Sequence, residues 1–84
     1  MDAANFDMAE MVRGLVTPLV THPDELEITR QDLNDGTIMI EMRVNEDDAG
    51  KVIGRQGRVI KAIRTVCRAA GSRHGVDVEV ELLD

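Results

Sequence analysis

Along this chain the apolar residues change from helical spacing to alternation and back, and that switching narrows the possible folds more than any other feature. From Thr37 to Asn45 the alternation is clean. Ile38, Ile40, Met42 and Val44 share one face, while Thr37, Glu41, Arg43 and Asn45 largely occupy the other. A period of two describes a strand with one buried face. Between Glu25 and Leu33 the alternation is only partial, and Asn34-Asp35-Gly36 separates the two stretches. Those three residues tolerate positive φ, so the pair is expected to form an antiparallel hairpin. Near the end of the chain Val76, Val78, Val80 and Leu82 alternate with Asp77, Glu79 and Glu81. This predicts a third strand, half buried, with an acidic outer face.

The intervening stretches carry helical spacing. From Phe6 to about Val20, Met8, Met11, Val12, Leu15 and Leu19 recur on one side, with Asn5 or Asp7 available as a cap. Thr17-Pro18 disfavours helical geometry at Thr17, so this helix should kink there or close with a separate last turn before His22-Pro23. Asn45, Glu46, Asp47 and Asp48 supply a cap and negative charge for a short helix ending near Ile53. A longer helix is predicted from Arg58 to His74. On it Val59, Ile63, Val66 and Ala70 fall on one stripe, with Lys61, Arg64 and Arg68 nearly opposite; Gly71 to Gly75 ends it. The order α-β-β-α-α-β predicts an α+β domain, a three-stranded sheet with helices packed on one face. Eighty-four residues suffice for one domain spanning 1–84, with residues 1–5 expected as a flexible N-terminus.

Charge is distributed unevenly. Ten Lys and Arg against sixteen Asp and Glu leave the chain at −6, which taken alone argues against a polyanionic partner. The stretch from Lys51 to Arg73, however, contains seven cations and no acid, whereas the remainder holds three arginines and all sixteen carboxylates. Counter-ion release depends on the charge that faces a nucleic acid, so a basic gripping surface on an acidic body is compatible with one. A solvated helix face would read the same way.

At the start of that basic stretch, Gly54-Arg55-Gln56-Gly57 links two predicted helices. Paired glycines around two polar residues let the backbone turn sharply and let a sugar-phosphate chain approach without meeting Cβ atoms. The helix that follows directs unpaired N–H groups and its positive dipole end at the loop, and Lys51, Arg55 and Arg58 add cationic donors, so an anion is the natural ligand.

Val52-Ile53-Gly54-Arg55-Gln56-Gly57-Arg58-Val59-Ile60-Lys61-Ala62-Ile63 matches every specified position of VIGxxGxxIKxI. In this the chain resembles the KH family, and its element order resembles the bacterial, type II form of that fold, as in the small bacterial single-domain proteins of the KhpA type. The resemblance implies that single-stranded RNA lies in a groove with its phosphates on Gly54 to Gly57. It also implies an RNA-binding set of Lys51, Val52, Ile53, Gly54, Arg55, Gln56, Gly57, Arg58 and Lys61. Val52, Ile53 and Ile60 are candidates for the groove floor, although core is the better role for Ile53 and Ile60, and Val76 to Val80 would form the opposite wall. A role as RNA chaperone or post-transcriptional regulator, and dimerisation with itself or with a second KH-containing protein, are further implications. Single-stranded DNA and an acidic protein partner in an assembly module remain alternatives.

Other chemistry finds little support. Cys67 has no partner cysteine and no base placed for it, which reads as a small buried hydrophobe in a reducing, cytoplasmic setting. His22 and His74 are isolated, and no Cys/His cluster offers a zinc site, so neither catalysis, a metal nor a cofactor is expected. The glycine loop has neither the P-loop spacing nor a preceding strand. No apolar run is long enough for a membrane span, and with Phe6 the sole aromatic residue there is no stacking platform. The five methionines read as core filler, and Met39, which breaks the polar face of its strand, as a candidate for a contact surface.

Overall fold

A computed structural model describes residues 7–83, so the expectation of a flexible stretch at 1–5 lies outside the described residues. The element order is the expected one: α1 (Met8–Val16), β1 (Glu27–Asp32), β2 (Ile38–Arg43), α2 (Glu46–Ile53), α3 (Arg58–Arg73) and β3 (Val78–Leu82). The sheet runs β1-β2-β3. β1 and β2 pair antiparallel through the hairpin, with Arg30 opposite Ile40, whereas β2 and β3 pair parallel, with Ile40 opposite Val80. Parallel neighbours need a crossover, and α2 with α3 supplies it. Inward residues Ile38, Ile40 and Met42 of β2 and Val78 and Val80 of β3 are buried beneath the helices.

The first helix is shorter than its periodicity suggests. Asp7 caps it, its side chain accepting from the Glu10 N–H at 2.9 Å. It ends at Val16, and Thr17–Leu19 forms a separate 3-10 turn with Pro18 within it. Met8, Val12 and Val16 are its buried residues. Met11, Leu15 and Leu19 lie at the margin.

On α3 the buried stripe is rotated from the expected one. Ile60, Ile63, Cys67 and Gly71 face the core, Val59 and Ala70 pack at its edge, and Val66 is 46% exposed. The helix has apolar residues around more than half its circumference, and periodicity cannot say which part of that arc meets the sheet. Contact with β3 decides it, and brings Cys67 to the centre of the core. Burial pushes the Cys67 thiol up to about 11.

Asp48 departs from its acidic neighbours. Among the charges at the start of α2 it is the one fully buried, because it turns inward to receive hydrogen bonds from the segment after α1. The Thr21 N–H donates at 2.9 Å, the Thr21 hydroxyl at 2.8 Å and the His22 N–H at 3.0 Å. Burial by itself raises the carboxyl's pKa, but these donors together with Lys51 outweigh it and hold it at about 2. Asn45 takes the capping role, its side chain accepting from the Asp47 N–H at 2.8 Å. Asp48 thereby ties the turn after α1 to the helix that leads into the glycine loop.

Candidate nucleic-acid interface

The glycine loop is built from a sequence of positive φ angles that few side chains tolerate. Gly54, at φ 77° and ψ 173°, ends α2 with its N–H donating to the Gly50 carbonyl at 2.8 Å. That conformation belongs almost only to glycine. A Cβ there would also overlap the Val59 side chain and stand 2.9 Å from the Val59 nitrogen. Gln56 and Gly57 follow with φ of 57° and 74°, and the Gly57 N–H closes the turn on the Gly54 carbonyl at 3.1 Å. The chain then enters α3 directly, and no side chain caps that helix. Its sixteen residues therefore present a positive dipole end at a loop whose side chains, Arg55 and Gln56, are exposed.

The predicted site residues separate into distinct roles. Arg55, Gln56, Arg58 and Lys61 are exposed around the loop and the first turn of α3, with the Arg58 guanidinium donating to the Gln56 amide oxygen at 3.2 Å. Among the described residues Arg55 and Lys61 have no ion-pair partner. Lys51 is exposed but leans back, its Nζ 3.5 Å from Asp48. Of the apolar three, Val52 is wholly buried and Ile60 is 7% exposed, so both support the loop from behind, whereas Ile53 is 41% exposed beside it. Core was the expected role for Ile53, but at the last position of α2 the core has already closed over Val52 and leaves its neighbour in solvent.

Along the other side of α3 runs an open groove of about 560 Å³, with Lys61, Arg64 and Arg68 of α3 facing Glu79 and Glu81 of β3. β3 is an edge strand. Arg64, outside the predicted set, reaches across and donates from Nε to the Val80 carbonyl at 3.1 Å. Arg68 stands 3.7 Å from Glu79, both more than half exposed, an arrangement that contributes little stability. Helical spacing from Lys61 was the signal that could have found Arg64; the carbonyl it meets could not be read from sequence. Met39, opposite Glu79 in the sheet register, lines the same groove. Val76 and Val78, the start of the expected wall, border a second open groove next to Leu33 of the hairpin.

Among the described residues no group of three His, Cys, Asp or Glu side chains could hold a metal ion, and no helix is long and apolar enough to cross a membrane.

A family model described as the KH domain of KhpA/KhpB matches residues 9–82. The RNA-binding protein KhpA of Bacillus subtilis is 42% identical over 77 residues, covering 92% of this chain and 94% of the relative. KhpA of Streptomyces coelicolor is likewise 42% identical over 77 residues, with 92% of each covered. KhpA of Clostridium perfringens is 40% identical over 76 residues, covering 90% of this chain and all of the relative. In three dimensions the chain is similar to part of Era in its crystal structure with MgGDPNP and a segment of 16S ribosomal RNA, with a TM-score of 0.59 and 24% identity. That likeness covers 89% of this chain but only 28% of Era, and it speaks to the fold alone.

Proposed function

The chain belongs to the KhpA/KhpB KH-domain family, and from that premise we propose that it binds single-stranded RNA, with the phosphates on the Gly54–Gly57 loop. The relatives carry the name of RNA-binding proteins, not of enzymes. The observation that carries the reading is the uncapped start of α3 behind Gln56 and Gly57, within a stretch of seven cations and no acid. Backbone N–H groups, the helix dipole and the exposed Arg55 and Arg58 all favour a phosphate at the same place. Bases then extend toward the groove between α3 and β3, where Met39 and Val80 offer apolar contacts.

Four nucleotides, the length such a groove accommodates, present about four phosphates and give a salt slope near −3. A single domain with so small an ionic contribution binds weakly. Dimerisation, with a second copy or with another KH-containing protein, would raise the affinity by avidity, and a cytoplasmic role in chaperoning RNA or regulating it after transcription fits binding of that kind. Fluorescence anisotropy with unstructured RNA and DNA oligonucleotides of matched sequence tests the proposal. Micromolar binding to RNA with a salt slope near −3 is expected; equal affinity for the DNA would make the ligand single-stranded nucleic acid in general, and no binding to either would end the proposal.

A further inference from the structure

In a groove that holds nucleic acid, carboxylates are out of place unless they face something other than phosphate. Glu79 and Glu81 are next-but-one neighbours on edge strand β3, on the wall opposite Lys61, Arg64 and Arg68. Glu79 is opposed by Arg68 at 3.7 Å. Glu81 is exposed and its side chain has no hydrogen bond or ion pair among the described residues, so its acceptor oxygens are open to a ligand. Beside it Arg64 is held in place by its bond to the Val80 carbonyl, and that bond uses Nε alone, leaving the other guanidinium donors available.

We propose that Glu81 is a specificity-determining residue, accepting a hydrogen bond from the exocyclic amino group of a base while Arg64 donates to that base's ring acceptor. This rests on the RNA-binding reading above and names the class of base it selects. Cytosine and adenine each carry an amino group next to an unprotonated ring nitrogen. Uracil carries a carbonyl at that position, which would set an oxygen against the carboxylate. The same charge keeps the phosphate backbone on the loop side of the groove, so the strand lies with bases toward β3. A base–side-chain pair of this kind discriminates by about tenfold or more.

The test is anisotropy with single-stranded RNA hexamers of C, A and U, using the wild-type chain, Glu81→Gln and Glu79→Gln, with thermal melts to verify folding. The wild type should bind the C and A hexamers about tenfold more tightly than the U hexamer. Glu81→Gln should bring that ratio close to one, because an amide also presents donors, while affinity for U holds or rises. Glu79→Gln should leave the ratio in place. Equal wild-type affinities for the three hexamers would overturn the role of Glu81 while leaving RNA binding intact. So would a Glu81→Gln variant that tightens on all three by one factor, since its carboxylate would then act only by repelling phosphate. Failure to bind any hexamer would remove both this inference and the reading beneath it.

Discussion

Two residues on the loop and one at the start of α2 carry most of what can be tested at the level of single side chains. Arg55 and Gln56 are exposed, so replacing both by Asp puts two negative charges at the proposed phosphate position without touching the core. The double variant is expected to lose at least tenfold in RNA affinity, measured by anisotropy, with the thermal midpoint moving by no more than a few degrees. Retained affinity would place the phosphates elsewhere. Asp48 should behave in the opposite way, structural first and functional second. An Asn at that position would turn amide hydrogens toward donors that now point at a carboxylate oxygen, and the Tm should fall by roughly 10 °C. The pH dependence has a definite sign. The folded-state pKa is depressed, from 3.8 to about 2. The stabilisation it brings is therefore complete above the unfolded value and is lost as pH falls from about 4 toward 2. Asp48→Asn should consequently show a shallower loss of stability across that window than the wild type; parallel acid limbs would show that another carboxylate governs it.

At the level of elements, the contact between α3 and β3 is tight enough to depend on one missing side chain. A Cβ on Gly71 would lie 2.5 Å from the Val78 Cγ2 atom and 2.8 Å from the Val76 carbonyl oxygen, whose backbone cannot yield cheaply. Its carbonyl also receives the N–H groups of His74 and Val76, at 2.9 and 3.0 Å, so the helix end and the start of the wall are joined there. Gly71→Ala is expected to cost about 2–3 kcal/mol in urea denaturation. It should also widen the groove and so weaken RNA binding more than the loss of stability alone would explain. A substitution that leaves the urea midpoint unchanged would mean that α3 and β3 can separate freely, which the buried Val78 and Val80 beneath them argue against.

For the molecule as a whole, the division of charge matters more than its sum. The formal charge is −6, yet the cations of residues 51–73 are gathered on the last turn of α2, the loop and α3. On the proposed RNA-binding reading, nucleic acid would approach that side and be repelled from the others. On that reading one such face would bind weakly, and two joined faces would exceed it by about 10²–10⁴ without a new contact. Sedimentation equilibrium at micromolar concentration, with and without RNA, should therefore detect a dimer. A chain that stays monomeric and still binds a four-nucleotide RNA at nanomolar affinity would show that one groove suffices.

The order of elements, the hairpin and the glycine loop were determined by sequence alone, because each rests on local physics: a change of hydrophobic period, residues that tolerate positive φ, and glycines where side chains cannot go. The cationic stretch was equally legible, since charge is a property of the residues and not of their arrangement. What tertiary contact decided was orientation. Which part of the apolar arc of α3 met the sheet, and with it the burial of Cys67 and the exposure of Val66, depended on β3, which pairs with β2 only after the crossover is made. Whether Val52 or Ile53 faced solvent depended on where the core closed around α2. Asp48 looked like its acidic neighbours because nothing in Asn45-Glu46-Asp47-Asp48 reveals that Thr21 and His22 will arrive to donate to one of them. Arg64 looked like one more charge on a solvated face until the edge of β3 placed a carbonyl within its reach. Periodicity says that a side chain has an inside and an outside; only the packed neighbour determines what lies on each.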